Sequence, residues 1–297
     1  MSNLEISRAE RLDQRVVALM PLLSRSFATK LITDGKVTVN GVVVTKGGTK
    51  LKPDDEVVIN YEEQEFIIPD IKLPVLYEDD DCVVIEKPIG LLTHSKGAFN
   101  PEASVATWLH NRIKDKTLIE ADTYQPNRRA GIVHRLDRAT SGVMIAAKTT
   151  QALSWLQKQF SARKVHKTYF AVVQGHLKEP EAVIDMPIER NPKAPATFRV
   201  GVNGKPAITH YRVVRESDHY SLVELKPETG RTHQLRVHLA QLGHPIVGDS
   251  LYNHNGQPAK RMLLHAAILE ITLPSRQRRT FESSLPAVFT ELLDGDQ

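Results

Sequence analysis

A short polar stretch between two apolar segments constrains the fold of this chain more than any other feature. Residues 134–142 read His-Arg-Leu-Asp-Arg-Ala-Thr-Ser-Gly, and the flanking segments 131–133 and 143–147 are apolar with β-branched residues. This pattern predicts two buried strands with a connection held between them. Because functional residues concentrate on connections that a rigid scaffold positions, this loop is the first candidate for a site.

Asp137 is the candidate for chemistry in this loop. It lies between Arg135 and Arg138, and each guanidinium favours the charged form of a neighbouring carboxyl group. An ionised carboxylate can act as a nucleophile. The same residues also suit a surface loop with local ion pairs, so the rest of the chain must decide between the two interpretations.

The distribution of charge favours a polyanionic partner. Residues 125–170 contain nine lysines and arginines against the single acid Asp137, whereas residues 62–81 contain eight acids against one lysine. A dense basic field around the candidate loop suits phosphate groups. We therefore expect contact with RNA or DNA, in preference to a merely solvated basic face.

Length and composition are those of a globular protein. The 297 residues, 41% of them hydrophobic, allow one large domain and one small one. The polar N-terminus predicts no secretory signal, and no apolar run approaches the roughly 18 residues that would indicate a membrane span. The single cysteine, Cys82, excludes an internal disulfide and a cysteine-built zinc site. We expect a cytoplasmic protein without a membrane partner.

Changes in sequence pattern along the chain predict three regions. Residues 1–60 form a small domain of two helices and a small sheet, residues 61–74 an acidic linker with prolines, and residues 75–297 the second domain. In the small domain Ser24 is expected to cap the second helix, and Asn40-Gly41 predicts a hairpin. Five basic residues are spread so that several of them can share one face: Arg25, Lys30, Lys36, Lys46 and Lys50.

A glycine turn late in the chain leads into a further predicted helix. Leu235, Leu239 and Leu242 lie on one side of it, and Arg231 is expected in its first turn. The helix dipole disfavours a cation there by about 0.3 to 1 kcal/mol, so a carboxylate or phosphate partner is expected.

We expect no metal site. His233 and His238 are five residues apart, about 140° around a helix of 3.6 residues per turn, which suits shared ligation poorly. The three consecutive aspartates at 79–81 point in different directions in an extended turn and lack the spacing of a calcium loop.

Two resemblances follow from these motifs. Residues 11–13, 24–26, 34–41 and 52–57 resemble the small RNA-binding module named after ribosomal protein S4. Four ordered motifs, at 86–90, 134–142, 167–169 and 230–236, resemble those of the RluA-type pseudouridine synthases, and the likeness runs from about 75 to 273. With its N-terminal module the chain resembles the members that modify bacterial large-subunit ribosomal RNA. Ala139 departs from the acid that many members carry.

The resemblance implies an α+β catalytic domain with a mixed, largely antiparallel sheet, and an isomerisation that needs no cofactor. Asp137 would be the nucleophile, attacking either the base or the sugar carbon. Tyr169 would stack on the uracil and assist proton transfer from C5, Arg231 would pair with Asp137, and Leu235 would pack on the base.

The resemblance also implies how the substrate is held. A uridine inside folded RNA must leave its stack, and Arg135 would occupy the vacated space. Thr140 would belong to the turn that leads back into the sheet beside the substrate. The expected phosphate contacts are Lys87, Arg138, Arg163, Lys164 and Lys167. We expect a monomer, and the target uridines are not specified.

Two other classes of function remain to be compared with the sequence. A noncatalytic RNA-binding or ribosome-assembly factor would not need Asp137, Tyr169 and Arg231 together. A metal-dependent nuclease or a hydrolytic glycosidase would require ligand-spaced groups or paired carboxylates, and neither is visible beside Asp137.

Overall fold

The computed structural model describes residues 10–20, 25–61, 70–94, 102–115, 117–118, 130–253 and 259–296. It divides into two compact units, residues 1–71 with 94–130 and residues 72–93 with 131–297. The predicted cap Ser24 and most of the predicted linker lie outside the described residues. The predicted domain boundaries stay a prediction.

The first unit contains the two expected helices and a three-stranded antiparallel sheet. Its elements are α1 (Leu12–Leu19), α2 (Arg25–Thr33), β1 (Val37–Val39), β2 (Val42–Val43), β3 (Val57–Ile59) and α3 (Val105–His110). Asn40 and Gly41 both have positive φ, 51° and 78°, as a two-residue hairpin turn requires. The predicted hairpin and helix pair are confirmed, and buried aliphatic residues such as Leu12 and Ile32 join them.

The second unit is built on a nine-stranded sheet. Its strands are β4 (Val75–Glu78), β5 (Cys82–Lys87), β6 (Ser141–Ala147), β7 (His166–Gln174), β8 (Glu181–Asp185), β11 (Ile208–Glu216), β12 (Tyr220–Pro227), β13 (Leu264–Thr272) and β14 (Arg278–Glu282). The order is β4-β5-β6-β13-β7-β12-β11-β8, and β14 also pairs with β13. The β6–β13 pair is parallel and the other pairs in this sheet are antiparallel. The expected α+β class with a mixed, largely antiparallel sheet is confirmed.

Three helices and a separate hairpin complete this unit. They are α4 (Thr150–Ser161), α5 (Gln234–Gln241), α6 (Val288–Asp294) and the strands β9 (Ile188–Arg190) and β10 (Phe198–Val200). Helix α4 packs its Leu156 with Val143 and Ile145 of β6, and α5 packs its Leu239 with Val223 of β12. Within the described residues no helix is long and apolar enough to span a bilayer.

The segment 183–188 does not form one continuous strand. The chain forms β8 up to Asp185 and then β9 from Ile188, with Pro187 between them. Because proline lacks an amide hydrogen it cannot continue a strand ladder, and β9 leaves the large sheet to pair with β10.

A line of paired residues across the sheet positions the site. Gly142 of β6 pairs with Ala266 of β13, Ala266 pairs with Tyr169 of β7, and Tyr169 pairs with Leu225 of β12. Since adjacent strands are about 4.8 Å apart, Tyr169 lies roughly 10 Å from the start of β6. The candidate loop ends where β6 starts, so this line brings the loop and Tyr169 to one region of the sheet.

Candidate active site

A cavity of about 570 Å³ opens beside the loop that precedes β6. Its wall includes the residues around Asp137, the last turn of α4 with Phe160, Lys167 and Tyr169 at the start of β7, and the turn that leads into α5. The loop, two strands and two helices therefore meet at one concave site, as expected for small-molecule or nucleobase recognition.

The loop is fixed by contacts on both sides. The Thr93 hydroxyl donates to the Leu136 carbonyl at 2.7 Å and accepts from the Leu136 amide at 3.2 Å. The Thr140 amide donates to the Asp137 carbonyl at 3.0 Å. At Gly142, φ is 119°, and a Cβ atom would collide with the Ala266 carbonyl of β13. Glycine is therefore required where the loop enters the sheet.

Lys87 supports the loop and is not a phosphate contact, so that expectation is wrong. Its side chain is fully buried, and its ammonium group donates to the carbonyls of Pro88 at 2.9 Å and Leu91 at 2.8 Å, with Arg138 at 3.5 Å. Burial lowers the pKa of Lys87 to about 8, and Asp137 opposes that shift. The misprediction arose because a lysine beside a turn normally extends into water, whereas this one replaces water with carbonyl oxygens.

Asp137 is paired with Arg236. Nη1 of Arg236 donates to Oδ2 of Asp137 at 3.2 Å, while its Nε and Nη2 both donate to the fully buried Asp249 at 2.7 Å. The bidentate pair with Asp249 fixes the guanidinium plane, and this leaves one edge directed at Asp137. The two carboxylates raise the pKa of Arg236 against the effect of its burial.

The expected Arg231–Asp137 pair is therefore not the pair that the structure contains. Helix α5 begins at Gln234, so Arg231 lies in the preceding turn and not in the first helical turn. Its Nε donates to the Pro206 carbonyl at 3.0 Å, and its amide donates to Oε1 of Gln234 at 2.9 Å. Arg231 still lines the cavity.

His233 is a second cation-capable group beside Asp137. Its Nε2 lies 3.8 Å from Oδ2 of Asp137, and its Nδ1 lies 2.9 Å from the Tyr252 hydroxyl. That hydroxyl oxygen also accepts the Phe198 amide at 2.8 Å. Burial lowers the pKa of His233, and Asp137 opposes this.

Tyr169 and Lys167 form the opposite wall. Burial raises the pKa of the Tyr169 phenol, and the nearby Asp137 raises it further. Burial lowers the pKa of Lys167 to about 8. Behind them His134 stacks on Phe160, with ring centroids 4.7 Å apart, and its Nε2 accepts the Ile145 amide at 3.1 Å. Burial and then Lys167 lower the pKa of His134 to about 3, so the ring is neutral.

The remaining predicted residues fall into two groups. Arg135, Thr140 and Leu235 line the cavity: Arg135 is exposed, whereas Thr140 and Leu235 are buried. The exposed Arg138 donates from Nε to the Gly90 carbonyl at 2.9 Å.

In the first unit the basic residues differ in their contacts. Arg25 pairs with the buried Asp13 at 3.0 Å, and Lys30 pairs with Asp34 at 2.5 Å. Exposed side chains are those of Lys36, Lys46 and Lys50.

Sequence reasoning missed Arg236, Asp249 and His233 as members of the site. His233 and Arg236 lie inside the motif 230–236 that carried the resemblance, and Asp249 lies within the longer stretch over which the likeness runs. A usable signal was present, because Asp249 follows a buried segment and a buried carboxylate requires a cation.

The described residues contain no cluster of three or more histidine, cysteine or acidic side chains suited to a metal ion. His238, considered earlier with His233, is fully buried, with Nδ1 3.0 Å from the Thr209 hydroxyl and Nε2 3.0 Å from the Met186 carbonyl. It is a core histidine with both ring nitrogens occupied.

A carboxylate held by an arginine, in a cavity lined by basic and aromatic residues, makes a site suited to a nucleic-acid base. Comparison with known families agrees with this class. Residues 81–241 match the family model described as RNA pseudouridylate synthase, and residues 10–57 match the S4 domain. The chain belongs to the RNA pseudouridylate synthase family.

Individual relatives extend this likeness over most of the chain. The chain is 36% identical to ribosomal large subunit pseudouridine synthase D of Escherichia coli O6:H1, covering 96% of this chain and 90% of the relative. It is 39% identical to an RNA pseudouridine synthase of Aquifex aeolicus, covering 86% and 80%. Among solved structures, the chain is similar to human RNA pseudouridylate synthase domain containing 4, with 27% sequence identity and a TM-score of 0.56. The match covers 74% of this chain and 92% of the human chain.

Proposed function

We propose that this protein isomerises specific uridines of large-subunit ribosomal RNA to pseudouridine, with Asp137 as the nucleophile. The observation that carries the proposal is the Asp137 carboxylate on the cavity wall, oriented by Arg236 and facing the cavity that Tyr169 also lines. Relatives named ribosomal large subunit pseudouridine synthase D, aligned over nearly the whole chain, support ribosomal RNA as the substrate.

The reaction breaks the bond between ribose and N1, turns the uracil and rejoins it through C5, after which C5 loses its proton and N1 carries one. Neither redox change nor addition of water is required, so one carboxylate suffices as the covalent catalyst. Asp137 would attack either the base or the sugar carbon. Arg236 would hold the carboxylate in one orientation throughout, because its other edge is fixed by Asp249.

Tyr169 would stack on the uracil. Because burial raises the pKa of its phenol, the side chain stays protonated near neutral pH and is a poor base there. We therefore assign it a stacking role in preference to the proton transfer from C5 that the resemblance suggested. Leu235 would complete the apolar contact with the base.

The substrate uridine would leave its stack at a cost of a few kcal/mol. Arg135, exposed at the cavity, would fill the vacated space, while Lys167 and Arg138 would hold neighbouring phosphates. Thr140 would keep the loop closed beside the base. Arg231 would bind the substrate at the cavity wall without contacting the nucleophile.

The rest of the proposal concerns the protein in the cell. The first unit, whose residues 10–57 match the S4 domain, would bind structured RNA through Lys36, Lys46 and Lys50, with Arg25 and Lys30 at the same surface. The protein would act in the cytoplasm as a monomer.

The decisive experiment uses an unmodified large-subunit ribosomal RNA transcript without added metal. Wild-type protein should convert uridine to pseudouridine, and mapping the modified positions would identify the target. Asp137→Asn should bind the transcript and form no product. Product formation by that variant would refute the assignment of the nucleophile.

A further inference from the structure

We propose that a second RNA contact lies beside the cavity, on a basic surface formed by the end of α4 and the turn between β13 and β14. This inference rests on the proposed function, because it takes RNA as the substrate. The exposed cations of the basic surface are Lys158, Arg163, Lys164, Arg276 and Arg278. They would bind phosphates of the strand that leaves the cavity.

Hydrogen bonds join the two elements, so their cations share one surface. Nη1 of Arg278 donates to the Lys164 carbonyl at 2.8 Å, and Nε1 of Trp155 on α4 donates to the Thr272 carbonyl at the end of β13 at 2.9 Å. Glu270 pairs with Arg278 at 2.8 Å. One acid against five cations leaves the surface with excess positive charge, which attracts a polyanion.

Arg276 is held in place by an aromatic ring. Its guanidinium carbon lies 3.7 Å from the centroid of Trp155. Stacking uses the face of the guanidinium group and leaves its N–H edge available, and this edge is the part that binds phosphate. The arginine is thus oriented before RNA arrives, which reduces the entropy lost on binding.

The backbone conformation of two arginines is a separate argument for RNA contact at the basic surface. Four non-glycine residues in the described part of the chain have positive φ, and two of them belong to the basic surface: Arg163 at 54° and Arg276 at 69°. Glycine occupies this left-handed region without steric cost, whereas other residues do not. Arginine at these two positions therefore makes the fold less stable than glycine would. Phosphate binding would explain why arginine stands there.

The basic surface is continuous with the catalytic cavity. Phe160, Ser161 and Arg163 line the cavity, and Arg163 lies two residues beyond the end of α4 and precedes Lys164. From Trp155 to Ser161 the helix advances about 9 Å at a rise of about 1.5 Å per residue. A strand passing from the cavity towards the β13–β14 turn would meet these cations in succession.

The test is the double variant Lys164→Gln/Arg276→Gly in the full-length protein. It removes two cations and keeps the Lys164 carbonyl that Arg278 uses. Lys178→Gln is the matched control, because Lys178 is an exposed lysine beyond the opposite end of β7. Binding of the unmodified large-subunit transcript is measured at several salt concentrations, together with Tm and pseudouridine formation.

We expect the double variant to bind RNA several-fold more weakly, with the salt slope of log K reduced by about 0.7 to 0.9 for each lost contact. Its Tm should stay the same or rise, because glycine relieves the left-handed strain. Lys178→Gln should behave as wild type. An unchanged Kd and slope in the double variant, beside an active wild type, would overturn this inference. Absence of pseudouridine in the wild-type reaction would instead refute the proposed function and remove the basis of the inference.

Discussion

Arg236 lies between two carboxylates, and its side chain links the catalytic loop to the turn that carries Asp249. Asp249 takes two of its donors and Asp137 the third. Removing a partner from a buried pair of this kind costs about 3 to 5 kcal/mol, because a charge is left uncompensated. Arg236 therefore affects both folding stability and the position of the nucleophile.

Arg236→Gln and Arg231→Gln make a matched pair five residues apart. We expect Arg236→Gln to lower the free energy of unfolding by about 3 kcal/mol and to reduce kcat severely, since Asp137 loses its charged donor. Arg231→Gln should raise KM with little loss of stability. Urea unfolding and steady-state kinetics distinguish them, and the reverse ranking would favour the Arg231 pair that the resemblance suggested.

His134 makes stability depend on pH. Its pKa is about 3 in the folded protein because of burial, against an ordinary value near 6.5. The unfolded chain therefore takes up a proton as pH falls below 6.5 while the folded protein does not, so stability is lost as pH decreases. The loss is up to about 1.4 kcal/mol per pH unit.

The check is His134→Gln, whose amide oxygen can still accept the Ile145 amide. Between pH 6.5 and 5, wild type should lose up to about 2 kcal/mol more unfolding free energy than the variant. If the unfolding free energies of the two proteins changed equally with pH, His134 would not be buried in its neutral form.

Lys167 gives RNA binding a different pH dependence. Its pKa is about 8, so its ammonium charge is lost as pH rises through 8. If it holds a phosphate, the KM for RNA should increase between pH 7 and 9. Lys167→Arg keeps its charge across this range and should lose the dependence. Identical KM profiles for wild type and Lys167→Arg would argue against the phosphate contact.

At the level of elements, the entry of the loop into β6 depends on Gly142. Gly142→Ala places a methyl group against the Ala266 carbonyl and should push β6 away from β13. Gly243→Ala is the control, because φ is 88° there but the space is open. Gly243→Ala should cost about 1 to 3 kcal/mol and Gly142→Ala more, as thermal unfolding would show. Equal costs would mean that the sheet accommodates the methyl group.

Elements with a clear local pattern could be predicted from the sequence. The Asn40-Gly41 hairpin, the buried strand at Val83 and the amphipathic helix α4 all follow from side-chain period or turn chemistry, which act over a few residues. Asp137 was also found locally, because its arginine neighbours and flanking strands adjoin it in the chain.

Features set by distant contacts could not be predicted in the same way. Whether Lys87 extends into water depends on carbonyls at Leu91 and Arg138, and the latter is 51 residues away. The choice of Arg236 over Arg231 depends on where α5 begins and on Asp249, which no local period specifies. Both outcomes are determined by tertiary structure, through burial and charge pairing between residues distant in the sequence.

At the scale of the molecule, we propose that the two units share the binding of the substrate. We expect the triple variant Lys36→Gln/Lys46→Gln/Lys50→Gln to weaken binding of the ribosomal transcript and to reduce its salt dependence, with the loss falling on KM. These exposed lysines lie in the unit that does not contain Asp137. An unchanged Kd at several salt concentrations would contradict an RNA-binding role for that unit.

The parallel pairing of β6 with β13 also bears on how the enzyme is made. Ser141, at the start of β6, contacts His265 of β13 across 124 positions of the chain. Contacts of such long sequence separation close slowly, and domains form during synthesis as their segments emerge. The loop that carries Asp137 is therefore anchored on both sides only after β13 has left the ribosome. We therefore expect a growing chain of this protein to stay inactive until its synthesis is nearly complete.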